Sequence, residues 1–376
     1  MNLRIKILLV VLFTTLQIVH AQQRRINWTA DGLAYTKFKD GNIVRIDPKT
    51  DAETIVVKKE QLTPSGENAI SPQSFDYSTD FTKMLLFTNT AKVWRYKTKG
   101  DYWILDLTNN QLKKLGKGLL SQSLMFAKFS PDGKNVAYVS EHNIYTEDIN
   151  SGLIRKLTND GTRKMINGTF DWVYEEEFGC RDGFRWSPEG NQIAFWQVDA
   201  NKIRDYYMLN TTDSVYSKVI PVEYPKVGEA PSPVRIGVIA LSNGFIRWMN
   251  IDGDPQQHYI PRMEWSGNNE LVIQQLDRKQ QESKLIYCNS KDGSSRTFWA
   301  ENDEAWVDMN TGNPAGWNWI NKGQDFLWVS EKDGWRHIYK ISRDGKTVTL
   351  LTNGNYDIGE IKAIDEKNSY IYFSAS

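Results

Sequence analysis

The chain has 376 residues, and its 46 basic and 46 acidic side chains cancel to no net charge. Such a balance exerts no global pull on nucleic acid, polyphosphate or an anionic membrane, so no nucleic-acid partner is expected. The length suits two or three ordinary domains or one large all-β fold, and 14 Trp, 17 Tyr and 15 Phe favour strands. Two cysteines, Cys180 and Cys288, make no disulfide framework, and whether they pair stays open at this level.

In chain order, residues 1–21 read as a secretory signal peptide. Arg4 and Lys6 precede an almost wholly apolar Ile7–Val19, and Val19-His20-Ala21 offers small residues for cleavage after Ala21. The run is shorter than the ~20 residues of a spanning helix, so a periplasmic or secreted product is expected. Residues 22–376 then repeat one phrase. Copies start near Trp28 ("WTADGLAYTKFKDGNIVRIDPKT"), Phe75, Phe129 ("FSPDGKNVAYVSEHNIYTEDINSG"), Trp186 ("WSPEGNQIAFWQVD"), Trp265, Trp319 and Ile364. Each reads aromatic, turn, apolar strand, break, second strand, Asp/Asn/Gly turn, third strand. Pro131-Asp132-Gly133 and Pro188-Glu189-Gly190 preset tight reversals, and nothing resembles a long amphipathic helix.

Repeats of ~40–50 residues made of several strands signify the blades of a β-propeller. The expected fold is therefore all-β, with about seven blade units present. The last, ending at Ser376 just after its first strand, reads as incomplete, as in a truncated chain. Between the copies at Trp186 and Trp265 lies a Pro-rich stretch, Val219–Val238, expected to project as an arm.

One string carries more than fold. Asp171–Phe178 reads "DWVYEEEF", three adjacent carboxylates that must be solvated or face a cation. A bare acidic run is usually a solvated face, but Trp172, Tyr174 and Phe178 anchor this one against apolar packing. The string resembles the signature of the dipeptidyl peptidase IV family, in the prolyl oligopeptidase clan of serine peptidases. "AKVWRYKTKGDYWILDL" (Ala91–Leu107), "YPKVGEAPSPV" (Tyr224–Val234) and "GWRHIYKI" (Gly334–Ile341) support the resemblance. It implies an eight-bladed propeller followed by an α/β-hydrolase domain, here expected to lie beyond Ser376. It also implies release of N-terminal X-Pro or X-Ala dipeptides, with Glu176 and Glu177 binding the substrate's α-ammonium and Glu175 as the outward neighbour. Homodimerisation through the 219–238 arm is implied in the same way. The chemistry is apt, because an α-amino group with a pKa of ~7.7–8.0 is largely cationic at neutral pH.

The family often adds an arginine to the two glutamates. In "YWILDLTNNQLKKL" Asn109 and Asn110 take the expected position, so another basic residue must serve or recognition differs. No site is carried over from the Trp306-Val307-Asp308 loop. No G-x-S-x-G elbow occurs, so no catalytic residues are assigned and this chain alone is expected to be inactive. His337 is expected to pack at a strand end and His142 to sit in a solvated turn. No cofactor or metal site is expected, since H-E-x-x-H, C-x-x-C and calcium-loop patterns are all missing. The competing reading is a non-catalytic propeller that binds a peptide or protein partner. A propeller glycosidase is disfavoured, because adjacent Glu176 and Glu177 do not span a sugar ring.

Overall fold

Short turns organise the strands. Ser130 donates to Asp132 at 2.6 Å, Asp132 accepts from the Lys134 amide, and Gly133, at φ 67°, donates back to the Ser130 carbonyl at 2.9 Å. The same device recurs at Ser78-Asp80 and Ser342-Asp344, with Gly190 closing the Ser187 turn. These are the reversals expected from the repeated phrase, and they place antiparallel strands on either side. The structure, a computed structural model, describes residues 26–267, 269–309 and 317–376. The expected signal peptide lies outside the described residues.

The described residues divide into two compact units, the first running to 89 and taking in 102–114, the second formed by 90–101 and the residues from 115 on. In the first, β1 (Asn27–Trp28), β2 (Tyr35–Lys39), β3 (Asn42–Ile46) and β4 (Glu53–Val57) form one meander. β5 (Ser74–Tyr77), β6 (Lys83–Val93), β7 (Tyr96–Asp106) and β8 (Leu112–Lys114) form the next. The first unit holds β5, β8 and the parts of β6 and β7 outside 90–101. Its core gathers Ile43, Leu62, Phe75, Met84, Leu86 and Leu105.

The second unit opens with β9 (Leu124–Phe129), β10 (Asn135–Ser140), β11 (Asn143–Asp148) and β12 (Ile154–Lys156), with Lys99 and Gly100 of β7 paired to Met125 and Leu124. β10 is buried throughout after Asn135, as a strand covered on both faces must be, whereas β12 is largely open. Next come β13 (Met165–Asn167), the helix α1 (Trp172–Phe178), β14 (Phe184–Trp186) and β15 (Gln192–Asp199). A separate hairpin, β16 (Asp205–Asn210) with β17 (Lys218–Glu223), precedes β18 (Val234–Ala240) and β19 (Ile246–Trp248). β13 and β14 both pair with β15, which continues to β18 and β19. Two more meanders follow: β20 (His258–Gly267), β21 (Glu270–Asp277), β22 (Glu282–Asn289) and β23 (Ser295–Asn302); then β24 (Trp317–Ile320), β25 (Asp325–Ser330), β26 (His337–Ser342) and β27 (Val348–Leu350). The last sheet pairs β28 (Ile358–Asp365) with β29 (Tyr370–Ala375). Among the described residues the expected seven units are present, the last with two strands rather than one.

One boundary needs correction. The separate element is the hairpin beginning at Asp205, not the segment Val219–Val238. Val234–Val238 belongs to β18, paired with β15 from Val198↔Val234 to Ala194↔Val238. The apolar run "VRIGVIA" is a central strand, buried at every position except Arg235 and Ala240.

Candidate functional site

The acidic string is helical. Asp171 caps α1 by accepting from the Tyr174 amide at 3.1 Å, and Gly179 ends it in the left-handed region at φ 64°. Seven residues make no stable helix alone, so tertiary anchors must hold it. Tyr174 has no exposed surface, and its hydroxyl accepts from the Ile260 amide at 3.0 Å. Its ring packs on Phe170, Phe178 and Tyr259 with centroids 5.4–6.0 Å away. At the other end Trp172 lies on Tyr224, 4.2 Å between centroids.

Ser232 completes the cap by donating to the second Asp171 oxygen at 2.6 Å. The Asp171 carboxyl is 2% exposed, and burial raises its pKa against the pull of Ser232 and the Tyr174 amide. Ser232→Ala is expected to cost about 1–3 kcal/mol of unfolding free energy, the price of a buried acceptor left unsatisfied. A raised folded-state pKa favours the folded state below the unfolded value, and that contribution is lost as pH rises through the folded value. Denaturant titrations should therefore find a Ser232→Ala penalty that is largest at neutral pH and shrinks as pH falls and the carboxyl takes up its proton.

The three glutamates face different surroundings, and one expectation is overturned. Glu175 is not the outward neighbour: it is 6% exposed and accepts from Arg181 Nε at 3.2 Å. The helix turn that buries Tyr174 and Phe178 carries Glu175 inward with them. Desolvation raises its pKa, Arg181 opposes the rise, and Glu176 adds to it. Glu176 and Glu177 lie on the open side. Glu176 Oε1 accepts from Arg95 Nε at 2.8 Å, and Glu177 Oε1 accepts from Gln280 Nε2 at 2.6 Å. Two adjacent carboxylates thus stand with one guanidinium and one amide against them, the Glu176 side chain 24% exposed, an arrangement able to bind a small cation through charge-assisted hydrogen bonds.

The guanidinium set against Glu176 is that of Arg95, and neither Asn109 nor Asn110 approaches the acidic helix. Asn110 instead accepts from Gln61, and Asn109 from the Gln111 amide within its own turn. The signal was at hand in "AKVWRYKTKG", where Trp94-Arg95 forms the tip between β6 and β7. A cavity of ≈ 260 Å³ adjoins the site, lined by Trp94, Lys99, His142, Phe170, Glu175 and Arg181 among others. Glu175, rather than Glu176 or Glu177, faces it.

The remaining candidates are His337, His142, Cys180 and Cys288. His337 is 2% exposed and bonded through both ring nitrogens, to Asp333 at 2.9 Å and the Gly354 carbonyl at 3.0 Å, as expected of a strand-end packing residue. His142 does occupy a turn, but it is half-buried rather than solvated. Cys180 and Cys288 are both free. Burial pushes each thiol up to about 12, so neither is a ready nucleophile. Among the described residues no group of three or more His, Cys, Asp or Glu side chains is placed to hold a metal ion, and no helix is long and apolar enough to cross a membrane.

Comparison with known proteins decides the family. The profile described as the dipeptidyl peptidase IV (DPP IV) N-terminal region matches residues 78–376. The chain belongs to the dipeptidyl peptidase IV family. It is 25% identical to the probable dipeptidyl peptidase 4 of Emericella nidulans, across 93% of this chain and 46% of that protein. It is 26% identical to the inactive dipeptidyl peptidase 10 of Mus musculus, across 92% and 44%. The crystal structure of Porphyromonas gingivalis dipeptidyl peptidase 4 superposes with a TM-score of 0.85 at 26% identity, over 94% of this chain and 50% of that one. The fold class is the all-β propeller of the dipeptidyl peptidase IV N-terminal region. The chain spans about half the length of these relatives.

Proposed function

We propose that this chain is the substrate-clamping N-terminal propeller of an exported serine exopeptidase that releases X-Pro and X-Ala dipeptides. In this reading Glu176 and Glu177 bind the α-ammonium of a peptide with a free N-terminus, Arg95 braces Glu176, and the propeller gates access to a hydrolase domain. The carrying observation is the pair of adjacent carboxylates on a helix otherwise bolted into the core, flanked by Arg95 and Gln280. Holding the amine sets a ruler, so that only the second peptide bond reaches a nucleophile. Internal peptide bonds offer a neutral amide that cannot satisfy paired carboxylates. The test is hydrolysis of a free-amine Ala-Pro substrate by the full-length protein, with Glu176→Gln and Glu177→Gln as variants.

A second reading, a non-catalytic propeller that binds a peptide or protein partner, is favoured by one observation: a relative named inactive dipeptidyl peptidase 10 matches over the same region. Turnover by the full-length protein would exclude it.

The β16–β17 hairpin is proposed to pair with a second copy of the chain. Tyr206, Tyr207, Leu209, Val215, Tyr216 and Val219 are each at least 49% exposed, an apolar patch that solitary proteins avoid. Its roots are held by Arg163, which donates to Asp205 and Glu223, and by Lys164 on Asp205. Replacing 206–222 by a short Gly-Ser linker should turn a sedimenting dimer into a monomer. A dimer that survives the deletion would refute the assignment.

A further inference from the structure

Arg181 lies two residues past the Gly179 cap, and its guanidinium makes three contacts at once. Nε donates to Glu175 Oε1 at 3.2 Å, Nη1 donates to the Gly179 carbonyl at 3.3 Å, and the plane sits 3.7 Å over the Tyr96 ring. Tyr96 is the immediate neighbour of Arg95, which donates to Glu176. Two guanidinium groups therefore cross between the β6–β7 tip and the acidic helix in opposite directions. Arg95 reaches from the tip to Glu176, and Arg181 reaches from the end of the helix to Tyr96.

We propose that Arg181 is a positioning residue for the amine clamp: it fastens the Trp94–Tyr96 tip to the helix, so that Arg95 stays on Glu176, and it takes up the charge of buried Glu175. The inference rests on the amine-clamp reading given above. Its physical basis is competition for cations. Arg95 lies close enough to act on both Glu175 and Glu176. With Arg181 in place Glu175 has its own hydrogen-bond partner, and Arg95 keeps its hydrogen bond on Glu176. Without Arg181, a carboxylate at 6% exposure has two outcomes open to it: taking a proton or drawing Arg95 inward. Either one changes the charge and orientation of the outer pair. Stacking on an aromatic face calls for the planar guanidinium, so lysine is a poor substitute.

A plain helix-capping role would also use a cation at this end, so the test needs readouts that capping does not move. Binding of the dipeptide Ala-Pro to the full-length protein would be measured by calorimetry from pH 5.5 to 8, which needs no turnover. Arg181→Gln should weaken binding by about tenfold at pH 7, the loss of about one charge-assisted bond, and should shift the acid limb of the pH profile upward. Tyr96→Ala, which keeps the cation at the helix end, should weaken binding several-fold, and Tyr96→Phe should bind as the parent does. Arg181→Lys should restore the melting temperature but not the affinity. Parent-like affinity in folded Arg181→Gln, full rescue by Arg181→Lys or an unmoved acid limb would overturn the inference. Glu176→Gln and Glu177→Gln separate the two levels of argument. If they too bind as the parent does, the clamp itself fails; if they weaken binding and Arg181→Gln does not, only the role of Arg181 fails.

Discussion

Glu176→Gln or Glu177→Gln in the full-length protein is expected to lower kcat/KM on a free-amine Ala-Pro substrate by about 10- to 100-fold. The estimate follows from one charge-assisted hydrogen bond of about 1.5–3 kcal/mol converted at about 1.4 kcal/mol per tenfold. Neither side chain is part of the buried core, and the Arg95 that meets Glu176 is 71% exposed, so stability should change little, and melting within a few degrees of the parent would separate lost binding from lost fold. The effect has a sign in pH. As the substrate amine loses its proton above its pKa of ~7.7–8.0, the parent loses the same attraction and the gap to the variants narrows. An N-acetylated substrate should show no gap at any pH. Equal kcat/KM for parent and both variants at pH 7 would remove the clamp.

The blade pattern was legible because its causes are local. The Ser130-Pro131-Asp132-Gly133 reversal closes on its own side chains, and the apolar strand that follows needs only neighbouring strands to bury it. The acidic site was legible in composition but not in geometry. Which carboxylate turns inward depends on where Tyr174 and Phe178 are buried, and Tyr174 is held by Ile260, 86 positions away. Arg95 is 81 positions from Glu176, and Gln280 is 103 from Glu177. No local spacing encodes such pairs. The helix itself escaped notice because seven residues between strand-like segments give periodicity no room, although Asp171 and Gly179 are ordinary cap residues. The arm was misplaced for a related reason. Proline density drew its boundary to Val219–Val238, whereas the hairpin register from Asp205↔Glu223 to Asn210↔Lys218 sets it earlier.

Tyr174→Ala should be among the most damaging single changes in the second unit, with an expected loss of about 3–5 kcal/mol, as for a large buried aromatic truncated in a close-packed core. Tyr174 is fully buried within the cluster of Phe170, Phe178, Trp196, Tyr259 and Ile260. Its hydroxyl is the acceptor for the Ile260 amide, while the Ile260 carbonyl accepts from Trp196 Nε1 at 2.8 Å. Both backbone groups of one β20 residue are thus satisfied by aromatic side chains around α1. Tyr174→Phe isolates the hydrogen bond: the ring packing stays, the Ile260 amide is orphaned, and about 1–3 kcal/mol is lost. Denaturant unfolding of the parent and both variants should rank them parent, Phe, Ala. The Phe variant should also weaken Ala-Pro binding, because Glu175, Glu176 and Glu177 follow Tyr174 directly and any shift of the anchor re-aims all three. If Tyr174→Phe lost stability while leaving dipeptide affinity untouched, the helix would not be held rigidly enough for its anchor to set the direction of the carboxylates.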